Sequence, residues 1–168
     1  STYAHFVARK DYRKTYDVYK DDTLLNRQPK KSRKIFVCLD EQRGQYLVDG
    51  LVAMDFPLSS GVKAYPTKTG DYAVISKKED HTSNLYGKMY DAEGKCINYN
   101  AESTDPVPEG GRFDGSPMPY WQRLTNAGLG LHVGKVRRHP VSHGCVRLPR
   151  NVAEILYRQT SIGTPVTI

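Results

Sequence analysis

The sequence has no long apolar run. No stretch approaches the roughly 20 consecutive apolar residues that a membrane-spanning helix requires, so no such span is expected. Cysteine is scarce: Cys38, Cys96 and Cys145 make an odd three. That excludes the dense, even-numbered framework of a disulfide-stapled fold. Cys38 and Cys96 would be the pair if a bridge formed and Cys145 stayed reactive. The preferred reading makes them two small buried hydrophobes. No internal repeat or low-complexity tract is visible, which sets repeat architectures aside. Zinc-finger spacing and the aromatic signature of an RNA-recognition motif are missing, so no nucleic-acid partner is expected. The chain begins at Ser1 with no initiator Met, as a processed or truncated product would.

What is present suits one domain with a single core. The 168 residues are 38% apolar and 26% charged, ordinary values for a globular chain. The net charge of +7 is unevenly placed. Residues 1–34 carry ten Lys/Arg against four Asp, a net of +6, and residues 35–168 are nearly neutral at +1. We therefore divide the chain into a basic N-terminal arm and linker, 1–33, and a domain, 34–168. A basic arm attracts polyanions such as nucleic acid, anionic lipid or an acidic cell-wall polymer, although a solvated helix face explains the same charges. Within it, Tyr12, Tyr16 and Tyr19 stand at i, i+4 and i+7, which predicts one face of a short helix. Pro29 breaks the linker "NRQPKKSRK".

From Lys34 onward the texture is of short strands. "KIFVCLD" could bury both faces. "GQYLVDGLVAMDFPLSSG" reads as a hairpin turning at Asp49-Gly50. "TGDYAVIS" and the closing "GTPVTI" read as strands. Residues 79–118 are polar and rich in Gly, Pro, Asn and Asp, and are expected to form a long loop such as a lid. In "AGLGLHVG", Ala127, Leu129 and Leu131 point one way, and Gly128, Gly130 and His132 the other. "NVAEILYRQ" predicts a helix capped by Asn151, with Glu154 three residues on. Many short strands and one clear helix indicate a mainly β fold.

The stretch "HPVSHGCVRLP", residues 139–149, carries the chemistry. A thiol is a useful nucleophile as its thiolate, and an unperturbed cysteine is only a few per cent ionised near neutrality. A histidine can take the proton. His143 lies two residues from Cys145 and, on extended backbone, about 6–7 Å away. His132, on a separate strand and facing away from its apolar neighbours, is the better-aimed base, with His139 the competitor inside the gap. Gly144 allows positive φ or close substrate approach. The amides of Gly144 and Cys145 are candidates for an oxyanion hole. A metal site built from His132, His139, His143 and Cys145 lacks CxxC or HExxH spacing, and neither metal nor other cofactor is expected. Arg147 shares a face with Cys145 on an extended strand. It is a candidate to hold a substrate carboxylate, against a structural salt bridge. Tyr120 and Trp121 could form a substrate platform or pack in the core. His81 could line the cleft from the lid.

"SHGCVRLP" with an upstream "LGLH" strand resembles the signature of the L,D-transpeptidase catalytic domain (the YkuD-like family). "IFVCLDEQRGQYLVDGLVAMDFPLSSG", "YPTKTGDYAV", "DHTSNLYGKMY", "SPMPYWQRLT" and "GTPVTI" resemble further family segments. The resemblance covers about residues 34–168. It implies a β-sandwich-like fold with few helices and a bacterial, extracytoplasmic cell-wall enzyme. In the family, a cysteine attacks the third residue of a peptidoglycan stem tetrapeptide, releases D-Ala and passes the acyl group from a thioester to an amine. Water as acceptor would make it an L,D-carboxypeptidase. A catalytically silent cell-wall binding domain is the reading from another class. Carried over, Cys145 is the nucleophile and His132 the base, with the carbonyl of Val133 or Gly134 as its partner. His143 and Gly144, with Cys145, map onto the motif that shapes the oxyanion hole, and Ser142 is a candidate substrate contact beside them. The resemblance also implies acylation by carbapenems. Two departures stand out: only nine residues separate His132 from Ser142, and Arg147 stands where other members often have Asn.

Overall fold

A computed structural model describes residues 2–168. In chain order the elements are α1 (Tyr3–Val7), β1 (Tyr19–Lys20), α2 (Asp22–Leu25), β2 (Arg33–Cys38), β3 (Arg43–Val48), β4 (Leu51–Pro57), β5 (Asp71–Ala73) and β6 (Ser76–Lys78). Then follow β7 (Thr82–Tyr90), β8 (Cys96–Glu102), β9 (Arg112–Pro117), β10 (Trp121–Arg123), β11 (Gly130–Val133), β12 (Val146–Leu148), α3 (Arg150–Gln159) and β13 (Pro165–Thr167). The fold is mainly β, as the strand-rich texture predicts. The chain forms two compact units, one of residues up to 77 with 120–168, the other of 78–119.

The first unit contains two sheets around one core. A six-stranded sheet has the order β1-β4-β3-β2-β13-β5, and a four-stranded sheet the order β12-β11-β10-β6. Between them pack Ile35 and Val37 of β2, Tyr46 and Val48 of β3, Met54 and Phe56 of β4, Leu131 of β11, and Val146 and Leu148 of β12. Val152, Ala153 and Leu156 of α3 join the same cluster. The β3–β4 hairpin turns at Asp49 (φ 51°) and Gly50 (φ 79°). Two successive positive φ values match the twist of the flanking strands, which is why Asp-Gly stands there. Only one face of β2 is deeply buried: Ile35 and Val37 point into the core, whereas Cys38 is exposed.

Residues 1–33, read from the sequence as an arm and linker, are built into this unit. β1 pairs with β4 in the larger sheet, and Leu24 and Leu25 of α2 lie in the core. The tyrosine helix does not form. Tyr12 is buried, Tyr16 is exposed and Tyr19 sits in β1. The reason is a distant polar anchor. Asp55 on β4 is fully buried and accepts from Tyr3 Oη at 2.6 Å, Tyr12 Oη at 2.7 Å and Arg43 Nε at 2.6 Å. Arg43, itself 1% exposed, also donates to the carbonyls of Thr15 and Asp17, each at 2.9 Å. Several arm cations have local carboxylate partners: Arg9 meets Asp11 and Asp17, and Arg27 meets Asp49.

The second unit is a three-stranded antiparallel sheet, β8-β7-β9, where the composition predicts a loop. Ile97, Asn98, Tyr99 and Asn100 of β8 are exposed in succession. With neither face buried over those four residues, the strand carries no apolar alternation to read. At the other end of the chain, α3 begins after Pro149 with no side-chain cap, so Asn151 is inside the helix rather than capping it. Proline supplies a preset φ there and asks for no amide partner. No helix among the described residues is long and apolar enough to cross a membrane.

Candidate active site

Strand register assembles the site on one face of the four-stranded sheet. β11 pairs in parallel with β12, setting His132 opposite Arg147 and Leu131 opposite Val146. It pairs antiparallel with β10, setting Gly130 opposite Arg123 and Leu131 opposite Gln122. Leu131, Val146 and Gln122 are buried toward the core and α3, where Thr160 Oγ1 donates to Gln122 Oε1 at 2.6 Å. Alternation then turns His132, Arg147 and Arg123 to the opposite face, with Cys145 beside them just before β12. Cys145 and His132 lie on neighbouring segments two residues out of register, about 8 Å apart at Cα by strand spacing. Their side chains can meet across that diagonal.

The thiol sits over the glycine turn that leads into β11. Cys145 Sγ donates to the Gly128 carbonyl at 3.3 Å. Burial pushes the thiol above the usual cysteine range, while the Gly130 amide and the positive charges of Arg123 and Arg147 pull the other way. The net direction is upward, so the resting group is a protonated thiol that needs a base. His132 is 7% exposed, and its Nδ1 lies 2.7 Å from the Val133 carbonyl. A carbonyl only accepts, so Nδ1 carries the proton, and in the neutral imidazole Nε2 is the nitrogen with the lone pair. His139, the competitor, is exposed and its Nδ1 lies 3.3 Å from the Pro140 carbonyl.

The turn holding Cys145 is shaped from within. Ser142 is 3% exposed; its Oγ donates to the Cys145 carbonyl at 2.5 Å and accepts the Gly144 amide at 3.1 Å. The sequence suggested Ser142 as a substrate contact and the Gly144 amide as an oxyanion donor. In this structure both groups close the turn instead. Gly144 has φ 121°, which favours glycine. His143 packs its ring 4.9 Å from that of Tyr65.

A second segment braces the turn and was missed in the sequence. Thr67 Oγ1 donates to the Gly144 carbonyl at 2.6 Å and accepts the Gly61 amide at 2.8 Å. Ser59 exchanges backbone hydrogen bonds with Arg147, and the Ser60 carbonyl accepts from Val141 and Ser142. "LSSGVKAYPT" shows only small and polar residues, and its function appears once the chain has folded back onto the motif. Upstream, Arg138 reaches the carbonyls of Arg13, Thr15, Glu41 and Gln42. That pins the short gap between His132 and Ser142 to the N-terminal residues.

The aromatic pair divides. Trp121 is 2% exposed, too buried to be a platform; its ring stands 6.0 Å from that of His132. A Cβ on Gly130 would come within 2.4 Å of that indole, so the tryptophan and the glycine fit only each other. Tyr120 packs its ring 5.5 Å from that of Tyr157 on α3, on the helix side of the sheet. His81 belongs to the second unit, where its carbonyl accepts from Met118. Arg147 is half-buried, which opposes its charge, and no carboxylate or carbonyl among the described residues pairs with its guanidinium. All three cysteines are free, and Cys38 is exposed rather than buried. Among the described residues no three His, Cys, Asp or Glu side chains gather as a metal-binding set.

The family model for the L,D-transpeptidase catalytic domain matches residues 32–168. The chain belongs to that family. It is 32% identical over 119 residues to the probable L,D-transpeptidase 3 of Mycobacterium tuberculosis, covering 67% of this chain and 37% of that protein. Among solved structures, an Enterococcus faecium L,D-transpeptidase with cysteine replaced by serine superimposes with a TM-score of 0.58 at 27% identity, over 82% of this chain and 49% of the other. The M. tuberculosis L,D-transpeptidase 3 carrying a faropenem-derived adduct gives 0.60 at 24% identity, over 81% and 59%. This chain therefore spans only about a third to three-fifths of these relatives.

Proposed function

We propose that the chain is a peptidoglycan L,D-transpeptidase that works through Cys145. The observation that carries this reading is the 2.7 Å contact of His132 Nδ1 with the Val133 carbonyl, which leaves Nε2 basic on the face that bears the thiol. His132 takes the proton from Cys145 as sulfur attacks the carbonyl of the third stem residue. The tetrahedral oxyanion collapses, the C–N bond breaks, and the leaving D-Ala amine takes the proton from the imidazolium. The stem remains as a thioester. An amine, typically the side chain of another stem's third residue, loses a proton to His132 and displaces the sulfur. Water in its place gives the tripeptide of an L,D-carboxypeptidase.

A raised thiol pKa supports this order of events, because the proton leaves only when the base and the substrate are both in place. Arg147, without a protein partner, is proposed to bind a donor carboxylate: the D-Ala terminus, or the side-chain carboxylate of a diaminopimelate third residue. A bidentate fork is the geometry for that task. The site of action would be the bacterial cell envelope, outside the cytoplasm.

Incubation with purified disaccharide tetrapeptide followed by mass analysis tests the reading. A dimer formed with loss of D-Ala is expected. Tripeptide alone would indicate hydrolysis, and unchanged tetrapeptide would point to a cell-wall binding domain. Arg147→Lys should lower kcat/KM on this donor with little change in Tm; equal losses on amidated donors and a drop in Tm would return Arg147 to a structural role.

A further inference from the structure

We infer that Arg123, on β10, is a second carboxylate-binding residue of the site, across β11 from Arg147. The inference rests on the transpeptidase reading for the identity of the substrate, but not for the existence of the binding point.

Register places it. Arg123 pairs with Gly130 and Arg147 with His132, on opposite sides of β11. Both therefore rise from the face that carries Cys145 and His132. Two strand spacings across and two residues along put their Cα positions about 12 Å apart. Two forks rooted that far apart suit two carboxylates better than one. Cys145 stands two residues before Arg147 and turns its thiol over Gly128, on the segment leading into β11, where the charges of both arginines act on it.

Chemistry supports the same assignment. Neither arginine has a carboxylate partner among the described residues, a state they share with Arg33, Arg137, Arg138 and Arg150; what sets them apart is their place on the face that carries the thiol. Arg123 makes one long contact, Nη1 to the Thr125 carbonyl at 3.4 Å, and rests over the Trp121 ring at 5.3 Å. The indole face holds the guanidinium itself, and most of its N–H donors stay unused. Trp121 is fixed in turn under Gly130. A half-buried, pre-oriented and unpaired guanidinium beside a nucleophile is built to meet an anion. A stem tetrapeptide with a diaminopimelate third residue brings two carboxylates to the thiol, one on the leaving D-Ala and one on the third side chain. One arginine is available for each.

Two experiments test this. The first needs no natural substrate: alkylation of Cys145 by iodoacetate and by iodoacetamide, followed at that residue by peptide mass mapping. In each case sulfur displaces iodide, and only the first reagent carries a carboxylate. The iodoacetate-to-iodoacetamide rate ratio cancels changes in thiol ionisation. Arg123→Gln should lower it about fivefold, the effect of one charge near 4 Å in water, and Arg123→Lys should retain it. The second uses the tetrapeptide donor. Arg123→Gln should reduce kcat/KM about 10–100-fold, as for a hydrogen bond to a charged group. That effect should disappear on whichever donor, D-Ala-amidated or diaminopimelate-amidated, already lacks the carboxylate that Arg123 holds. An unchanged reagent ratio in Arg123→Gln overturns the inference. So does an equal kcat/KM loss on both amidated donors. A lowered ratio with no turnover of tetrapeptide by the wild type would keep the anion site and reject the transpeptidase reading.

Discussion

Replacing Asp55 by Asn should cost more stability than any surface change, because Asp55 joins the N-terminal residues to the larger sheet. Its carboxylate is fully buried and accepts three hydrogen bonds, from Tyr3, Tyr12 and Arg43, all within 2.7 Å. Asn keeps the shape and one acceptor oxygen but removes the charge. The Arg43 guanidinium, 1% exposed, then stays buried with carbonyl partners and no counterion. Breaking a buried pair on one side typically costs about 3–5 kcal/mol. The surviving contacts of Arg43 to Thr15 and Asp17 favour the lower half of that range. For a domain of this size about 2–4 °C of Tm goes with each kcal/mol, so a fall of roughly 6–15 °C is expected. Urea denaturation of Asp55→Asn, Arg43→Met and the double variant forms the assay. The double variant should lose less than the sum of the singles, because it leaves no orphaned charge. A single Asp55→Asn variant within about 1 kcal/mol of wild type, a surface-pair value, would refute the reasoning.

Deleting residues 1–33 should destabilise or aggregate the protein, since it strips β1 from the sheet and Leu24 and Leu25 from the core; a truncated chain that melts within a few degrees of wild type would count against this. His132→Ala should lose about 10²–10⁴-fold in kcat, and His139→Ala, exposed on its loop, less than tenfold; steady-state kinetics on the tetrapeptide decides, and the reverse order would move the base to His139. Burial pushes Tyr12 and Tyr46 up to about 12, and Tyr3 higher still. Above pH 10 the unfolded tyrosines ionise while the folded ones keep their protons, so stability should fall from about pH 10 to about pH 12. Tm measured across that range should drop less steeply in Tyr12→Phe, and parallel curves would contradict the assignment.

The parts of the fold written in local chemistry were readable from sequence. The Asp49-Gly50 turn, the alternation that turns His132 away from Leu131, and the apolar stripe of α3 each depend on neighbours a few residues apart. The burial of the N-terminal residues was not readable, because it depends on Asp55 and Arg43, more than 25 residues away. Their Lys and Arg content marks them as solvated, yet the tyrosines between those cations carry the packing. The second unit hid for the opposite reason: residues 97–100 of β8 are exposed on both faces, so that strand leaves no pattern. At the candidate site, Cys145, His132 and Arg147 were visible as candidates through motif and alternation. Thr67 and Arg123 were not. Thr67 meets Gly144 across 77 positions, and Arg123 reaches the thiol's face only through the pairing of β10 with β11. Trp121 was half legible: an aromatic beside the site was expected, but its burial follows from the missing side chain of Gly130.

The central claim is that Cys145 carries the acyl group, and the most direct measurement is the intact mass of the protein quenched during turnover of disaccharide tetrapeptide. The account predicts an adduct equal to the donor less D-Ala, mapped to Cys145, released by hydroxylamine and absent from Cys145→Ala. An adduct on another residue, or D-Ala release that continues in Cys145→Ala, would contradict it.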